Sequence, residues 1–192
     1  MPKSNTDATA IEKTTTIHAP KVQLPTTPDL IAGIVDQWKE TAVEPLPSLM
    51  GTEIIGRIVR MNSLVSRKID ENLATFQLNV GEFDLLAVLL REPTHALTPS
   101  EIQSLILISS GGLSNRMTRL ESRGLIERLP DPRDRRGVIV SLTPSGKSLI
   151  ETVAPTHLAI ENASIEMLSF DEQLLLKNLL KKILLSAEAS EE

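Results

Sequence analysis

The chain has no cysteine and no tyrosine. Without a thiol there is no disulfide, no redox-sensing sulfur and no thiolate metal site. Its three histidines, His18, His95 and His157, lie far apart and match no ligand spacing such as HExxH. With one Trp and three Phe, stacking of bases along a single nucleic-acid strand is a poor expectation. No run of 18 or more apolar residues occurs, so no membrane span is expected. The start, MPKSNTDATAIEKTTTIHAP, lacks the apolar core of a signal peptide, which makes a cytoplasmic location the expectation. No nucleophile–base pair stands out either, so neither an enzyme nor a bound cofactor is expected.

What the chain does have is an uneven charge distribution. Over 192 residues the net charge is −5. The stretch Ser109–Lys147 carries eight Lys/Arg against four acids, so it stands at +4 and leaves −9 for the rest. A basic island on an acidic protein is the electrostatic footprint of a local nucleic-acid contact. That stretch reads as a helix, a strand, a charged hairpin DPRDRRG, a second strand, and a helix opening with TPSG. Helix followed by hairpin is how a winged helix-turn-helix meets duplex DNA. The helix enters the major groove, and the hairpin reaches the neighbouring backbone and minor groove.

Four segments follow from composition and periodicity. Residues 1–27 are rich in Thr, Lys and Pro without apolar period, and are expected to be a disordered extension. Residues 28–76 hold an added helix, opened by Thr27 as cap with Pro28 and Asp29 in its first turn, and a long helix from about Gly51 to Thr75. Residues 77–143 form the DNA-binding lobe. It comprises an apolar helix Val80–Arg91 and a short helix opened by the capping box Thr98–Glu101 and running through Leu107. A break at SSGG, the basic helix at about 112–123, and the strands Leu125–Leu129 and Val138–Leu142 complete it. Residues 144–192 supply two more helices, the second opened by the box Ser169–Glu172. The expected fold is mainly α with a small β-wing. The long helix and the last two carry more apolar surface than one small lobe can bury, which points to a homodimer.

At about 100° per residue, Leu113, Met117 and Leu120 share the inner face of the basic helix. Asn115, Thr118 and Ser122 lie opposite, flanked by Ser114 and Arg119. Asn can pair bidentately with adenine, Arg with guanine, and Ser or Thr with either. Ser110 in the turn and Arg133, Asp134, Arg135 and Arg136 in the hairpin complete the expected DNA-binding set. Arg116 falls near the apolar centre of the wheel, so its guanidinium points along the protein and needs an acceptor. The expected acceptor is Asp84, the sole acid in the interior of the helix Val80–Arg91. Arg128, on the strand face of Ile126, is expected to point inward as well. Such a nest is either a structural ion-pair cluster or an anion site wired to the basic helix.

The motifs SNRMTRLESRGLIER and DPRDRRGVIVSLTPSG make the chain similar to the MarR family of transcriptional regulators, over roughly residues 51–188. The family's D-x-R wing pattern is matched by Asp134 and Arg136; the resemblance implies that the Arg enters the minor groove and the Asp steadies it. The added helix LIAGIVDQWKE resembles that of the family's urate-responsive branch. Trp38, Asp84, Arg116 and Arg128 match the four residues that mark this branch. Trp38 also continues an apolar stripe, for which core packing is the plainer role. The resemblance implies a homodimeric repressor of a pseudo-palindromic operator in double-stranded DNA. A small-molecule anion such as urate would release it: Trp38 against the ring, Arg116 and Arg128 on the charge, Asp84 as the displaced carboxylate. A phenolic or carboxylic-acid effector is the alternative, and a non-regulatory architectural DNA-binding protein a more distant one.

Overall fold

The computed structural model describes residues 25–106, 112–132, 134 and 137–190. The chain divides into two compact units, one of them Thr27–Met167 and the other including Leu168–Glu192. In the larger unit the elements run α1 Leu30–Thr41, α2 Met50–Thr75, α3 Val80–Arg91, β1 Ala96–Leu97, α4 Pro99–Leu105 and α5 Leu113–Ser122. They continue with β2 Ile126–Pro130, β3 Val138–Leu142 and α6 Pro144–Ala163. The smaller unit contributes α7, Phe170–Glu188. This is the mainly helical architecture with a small β-wing that the sequence suggests. No single helix among the described residues is long and apolar enough to cross a membrane.

Side-chain caps set most of the helix starts. Thr98 accepts from Glu101 N–H while the Glu101 carboxylate takes the Thr98 N–H at 2.7 Å, closing the expected capping box. Ser169 and Glu172 do the same for α7. At α1 the cap is Asp29, not Thr27. The Asp29 carboxylate accepts from Ala32 N–H at 2.8 Å and receives two N–H groups of Arg57 on α2, at 2.8 and 3.1 Å. A charged acceptor already held by an arginine satisfies the free N–H groups better than a hydroxyl two residues earlier. At the end of α5, Gly124 takes φ +67°. Its N–H reaches Glu121 O and that of Leu125 reaches Leu120 O, the double closure that a left-handed glycine allows.

The wing is a three-stranded antiparallel sheet ordered β1-β3-β2, not the two strands expected. Ile126 to Pro130 pair with Leu142 to Val138 in register, and Ala96 faces Ser141 on the other edge of β3. The core sits where α3 meets this sheet and α6. Leu73, Leu85, Leu86, Leu89, Ile102, Leu120, Ile126, Val140, Ile150 and Val153 are all buried there. As its all-round apolar sequence suggests, α3 is buried on several sides. The long α2 is different at its two ends: Ile69 and Leu73 join the core, while Met50, Ile54, Ile55, Ile58, Val59 and Met61 stay exposed. In the smaller unit, α7 buries none of its side chains within one chain.

Candidate DNA-reading surface and effector site

The faces of α5 fall as its periodicity requires. Leu113, Met117 and Leu120 are buried, and Ser114, Asn115, Thr118, Arg119 and Ser122 are exposed. The hydroxyls are partly spent on the helix itself. Thr118 donates to Ser114 O at 3.0 Å and Ser122 to Arg119 O at 2.8 Å. Ser114 and Asn115 border an open concavity of about 600 Å³, shared with Pro99, Ser100 and Gln103 at the start of α4. These two starts are where a helix-turn-helix presents N–H groups and short polar side chains to a duplex.

Three arginines turn the other way, toward the corner between α2 and α3. Arg123 donates to Gln77 O at 2.7 Å. The Arg119 Nε lies 3.0 Å from Oε1 of Glu82, within ion-pair distance though its N–H is not aimed at that oxygen. Arg116 lies against Gly81: a Cβ built there would fall 2.6 Å from its Cζ, so the guanidinium keeps this seat only while residue 81 has no side chain. The Arg116 Nη1 is buried and has no hydrogen-bond partner.

This geometry corrects the expected cluster. Arg116 makes no ion pair with Asp84; the gap left by Gly81 draws its guanidinium onto the start of α3 instead. Nor is Asp84 the acid that reaches the recognition helix. That acid is Glu82, which is fully buried, and whose second oxygen accepts from Asn79 N–H at 3.1 Å in another capping box. The pattern Asn79-x-x-Glu82 was the signal in the sequence that could have found it. Asp84 is half-buried, and burial raises its pKa above the usual 3.8, against the opposing pull of His157, Arg91 and Arg116. His157, unassigned from the sequence, stacks on Phe83 at 4.2 Å, pairs with Glu161 at 3.2 Å, and keeps its Nδ1 buried without a partner.

Arg128 does not point inward. It bonds Glu121 at 3.1 Å and Thr118 Oγ1 at 3.2 Å, so it joins the wing to α5. Along β2 only Ile126 is buried, and a carboxylate on the adjacent helix end outbids a dry interior for a guanidinium. Trp38 is 53% exposed in a shallow concavity of about 280 Å³ with Ile34, Gln37 and Thr41. Within one chain, therefore, Asp84 and Arg116 share a neighbourhood, and Trp38 and Arg128 have separate surroundings. Asp134 anchors the wing turn through its backbone, accepting from Gly137 N–H at 2.9 Å. Ser110, Arg133, Arg135 and Arg136 lie outside the described residues, as does Leu107, the expected end of α4.

The model of the MarR family matches residues 76–137, the span from the α2–α3 corner to the wing. Over 158 residues the chain is 32% identical to the transcriptional regulator PecS of Dickeya dadantii, covering 80% of this chain and 92% of that one. The chain belongs to the MarR family. It is accordingly a winged helix-turn-helix, DNA-binding transcriptional regulator of the MarR type and not an enzyme. Among solved MarR-family structures, AbsC from Streptomyces coelicolor superposes with a TM-score of 0.68 at 23% identity, covering 76% of this chain and 99% of that one. A mutant of MarR from E. coli complexed with operator DNA superposes at 0.60 with 30% identity, covering 72% and 99%.

Proposed function

We propose that two copies of this MarR-family chain pair through residues 28–76 and 144–192, and present their lobes (77–143) to a pseudo-palindromic operator. There they repress transcription until urate or a related planar purine anion releases them. Exposed apolar side chains along the first half of α2 and along α7 support the pairing. The exposed Ser114, Asn115, Thr118, Arg119 and Ser122 support base reading by α5; the wing's Arg133, Arg135 and Arg136, with Asp134 steadying Arg136, and Ser110 complete the proposed DNA-binding set.

The observation that carries the effector reading is Arg116. It sits on the DNA-reading helix, yet its guanidinium lies inside the protein with one N–H group unused, near a half-buried carboxylate whose ionised form is disfavoured. An anion entering there gains a charge-assisted hydrogen bond and repels Asp84. Because Arg116 is part of α5, drawing it off Gly81 moves the helix against the groove. Arg128 then acts through Thr118 and Glu121, and the half-open ring of Trp38 offers a stacking face. Driving a dimer from 99:1 bound-competent to 1:99 requires a preference of about 5.5 kcal/mol, a little under 3 per site. One charge-assisted hydrogen bond, at about 1.5–3 kcal/mol, is of that size.

The test is a urate titration of the protein on its own upstream DNA. Fluorescence of Trp38, the only Trp, should be quenched over the same concentrations that dissociate the complex. Arg116→Ala should still bind DNA and lose the response; Asp84→Asn should bind urate and be released poorly. If both variants answer urate like the parent, the effector site is elsewhere.

A further inference from the structure

Two arginines of α5, Arg116 and Arg119, and Arg123 at its C-cap face the α2–α3 corner. The Arg116 guanidinium is laid on Gly81, and Arg123 is tied to the carbonyl of Gln77. The Arg119 Nε stands 3.0 Å from Glu82 Oε1, an ion pair without an aligned hydrogen bond, and the Arg119 side chain is 65% exposed. Glu82 itself has no exposed surface. Its Oε2 accepts from the Asn79 N–H while Asn79 caps the Glu82 N–H in return, which favours one placement of the carboxylate. A buried carboxylate held by its own capping box therefore stands beside the Nε of an arginine whose side chain is mostly exposed.

We propose that Glu82 is a positioning residue for base recognition: it holds the inner edge of Arg119 so that the outer fork is presented ready-formed to one base pair in each half-site. An arginine reads guanine through two parallel N–H groups aimed at O6 and N7. A free arginine side chain must freeze several rotors to do so, and a buttressed one has fewer left to freeze. Glu82 touches no DNA; it acts through Arg119. The proposal rests on the reading of Arg119 as a base contact.

Simple electrostatics and this arrangement act on different readouts, overall affinity and preference at one base pair, which makes the test sharp. Removing a negative charge near DNA strengthens binding to any sequence. Removing a buttress weakens discrimination at one position. The experiment measures binding of the full-length protein to its own upstream DNA and to a set of duplexes bearing each single base-pair substitution. Glu82→Gln keeps an acceptor for Asn79, since Gln serves in a capping box. It should bind unrelated DNA as well as the parent or better, yet lose roughly tenfold in preference at one base pair per half-site. Arg119→Ala should flatten preference at the same base pair, and adding Glu82→Gln to it should change nothing further. Arg119→Lys, at an exposed position, keeps the charge but has no fork and should flatten it too. If Glu82→Gln lowers the melting temperature, its effect in the Arg119→Ala background decides the matter: a general loss of folding weakens binding in both backgrounds, whereas a lost buttress shows only where Arg119 is present. An unchanged profile in Glu82→Gln, or in Arg119→Lys, overturns the buttress while a flattened one in Arg119→Ala leaves the base contact standing. An unchanged profile in Arg119→Ala removes the contact itself, and the buttress with it.

Discussion

The two ends of α2 are built from similar residues and meet opposite fates. Ile58, in the first half, is 38% exposed, and Leu73, in the second, is fully buried. Composition does not separate them; the surfaces available within one chain do. The second half has α3 and α6 to close on, whereas the first half has α1, which covers it in part through Ile31 and Val35. Beyond that an apolar stripe is left open, and α7 has another. One end of the helix completes a fold and the other is surplus to it. In the proposed dimer on a two-half-site operator, that surplus is where the second copy would pack.

The largest expected effect breaks the contrast from its open side. Deleting the chain from Ser169 onward removes the apolar face of α7. Sedimentation should then show a monomer, with operator binding lost, while circular dichroism of the remaining helices persists. Next comes the closed side. Leu73→Ala should cost about 2–5 kcal/mol in denaturant unfolding, since a fully buried leucine leaves a cavity behind. Ile58→Glu, fifteen positions earlier on the same helix, should leave the lobe folded and weaken pairing instead.

Two carboxylates sharpen the comparison through pH. Asp84, in the closed region, has a folded pKa above 3.8 because of burial, so its ionised form costs stability at neutral pH. Asp84→Asn should raise the melting temperature at pH 7, and the gap should shrink as pH falls through the raised folded value toward 3.8. Asp29, at the exposed end, is held below 3.8, chiefly by the Ala32 N–H and then by Arg57. Its contribution has the other sign: present above 3.8, lost as pH falls through its lower folded value. Asp29→Asn keeps a capping side chain but loses the ion pair. It should lower the melting temperature slightly at neutral pH, and high salt should shrink the difference. That is the smallest effect expected.

How much the sequence discloses follows the range of the interactions. Thr98–Glu101 and Ser169–Glu172 are legible because a capping box spans one helical turn. The inner face of α5 is legible because periodicity alone sets it. Strand β1 is not, since Ala96 and Leu97 have no pattern and become a strand only by pairing with Ser141 and Val140. The direction of Arg128 is decided by Glu121 on another element. The partnership of Glu82 and Arg119 joins residues far apart in the chain, and burial of a carboxylate runs against the usual expectation for an acid in the first turn of a helix. Asp84 was legible as an inward acid but not as one without an ion-paired arginine, because the role of Gly81 as a seat for Arg116 appears only in three dimensions.

The central claim is that the open half of α2 and the face of α7 exist to pair two copies on one operator. Sedimentation velocity of the full-length chain, alone and with its own upstream DNA at micromolar concentration, tests it most directly. The account predicts a species of twice the chain mass in the absence of DNA, and two chains on each duplex. A single chain that stays monomeric in solution and binds the same duplex one to one with undiminished affinity would contradict it.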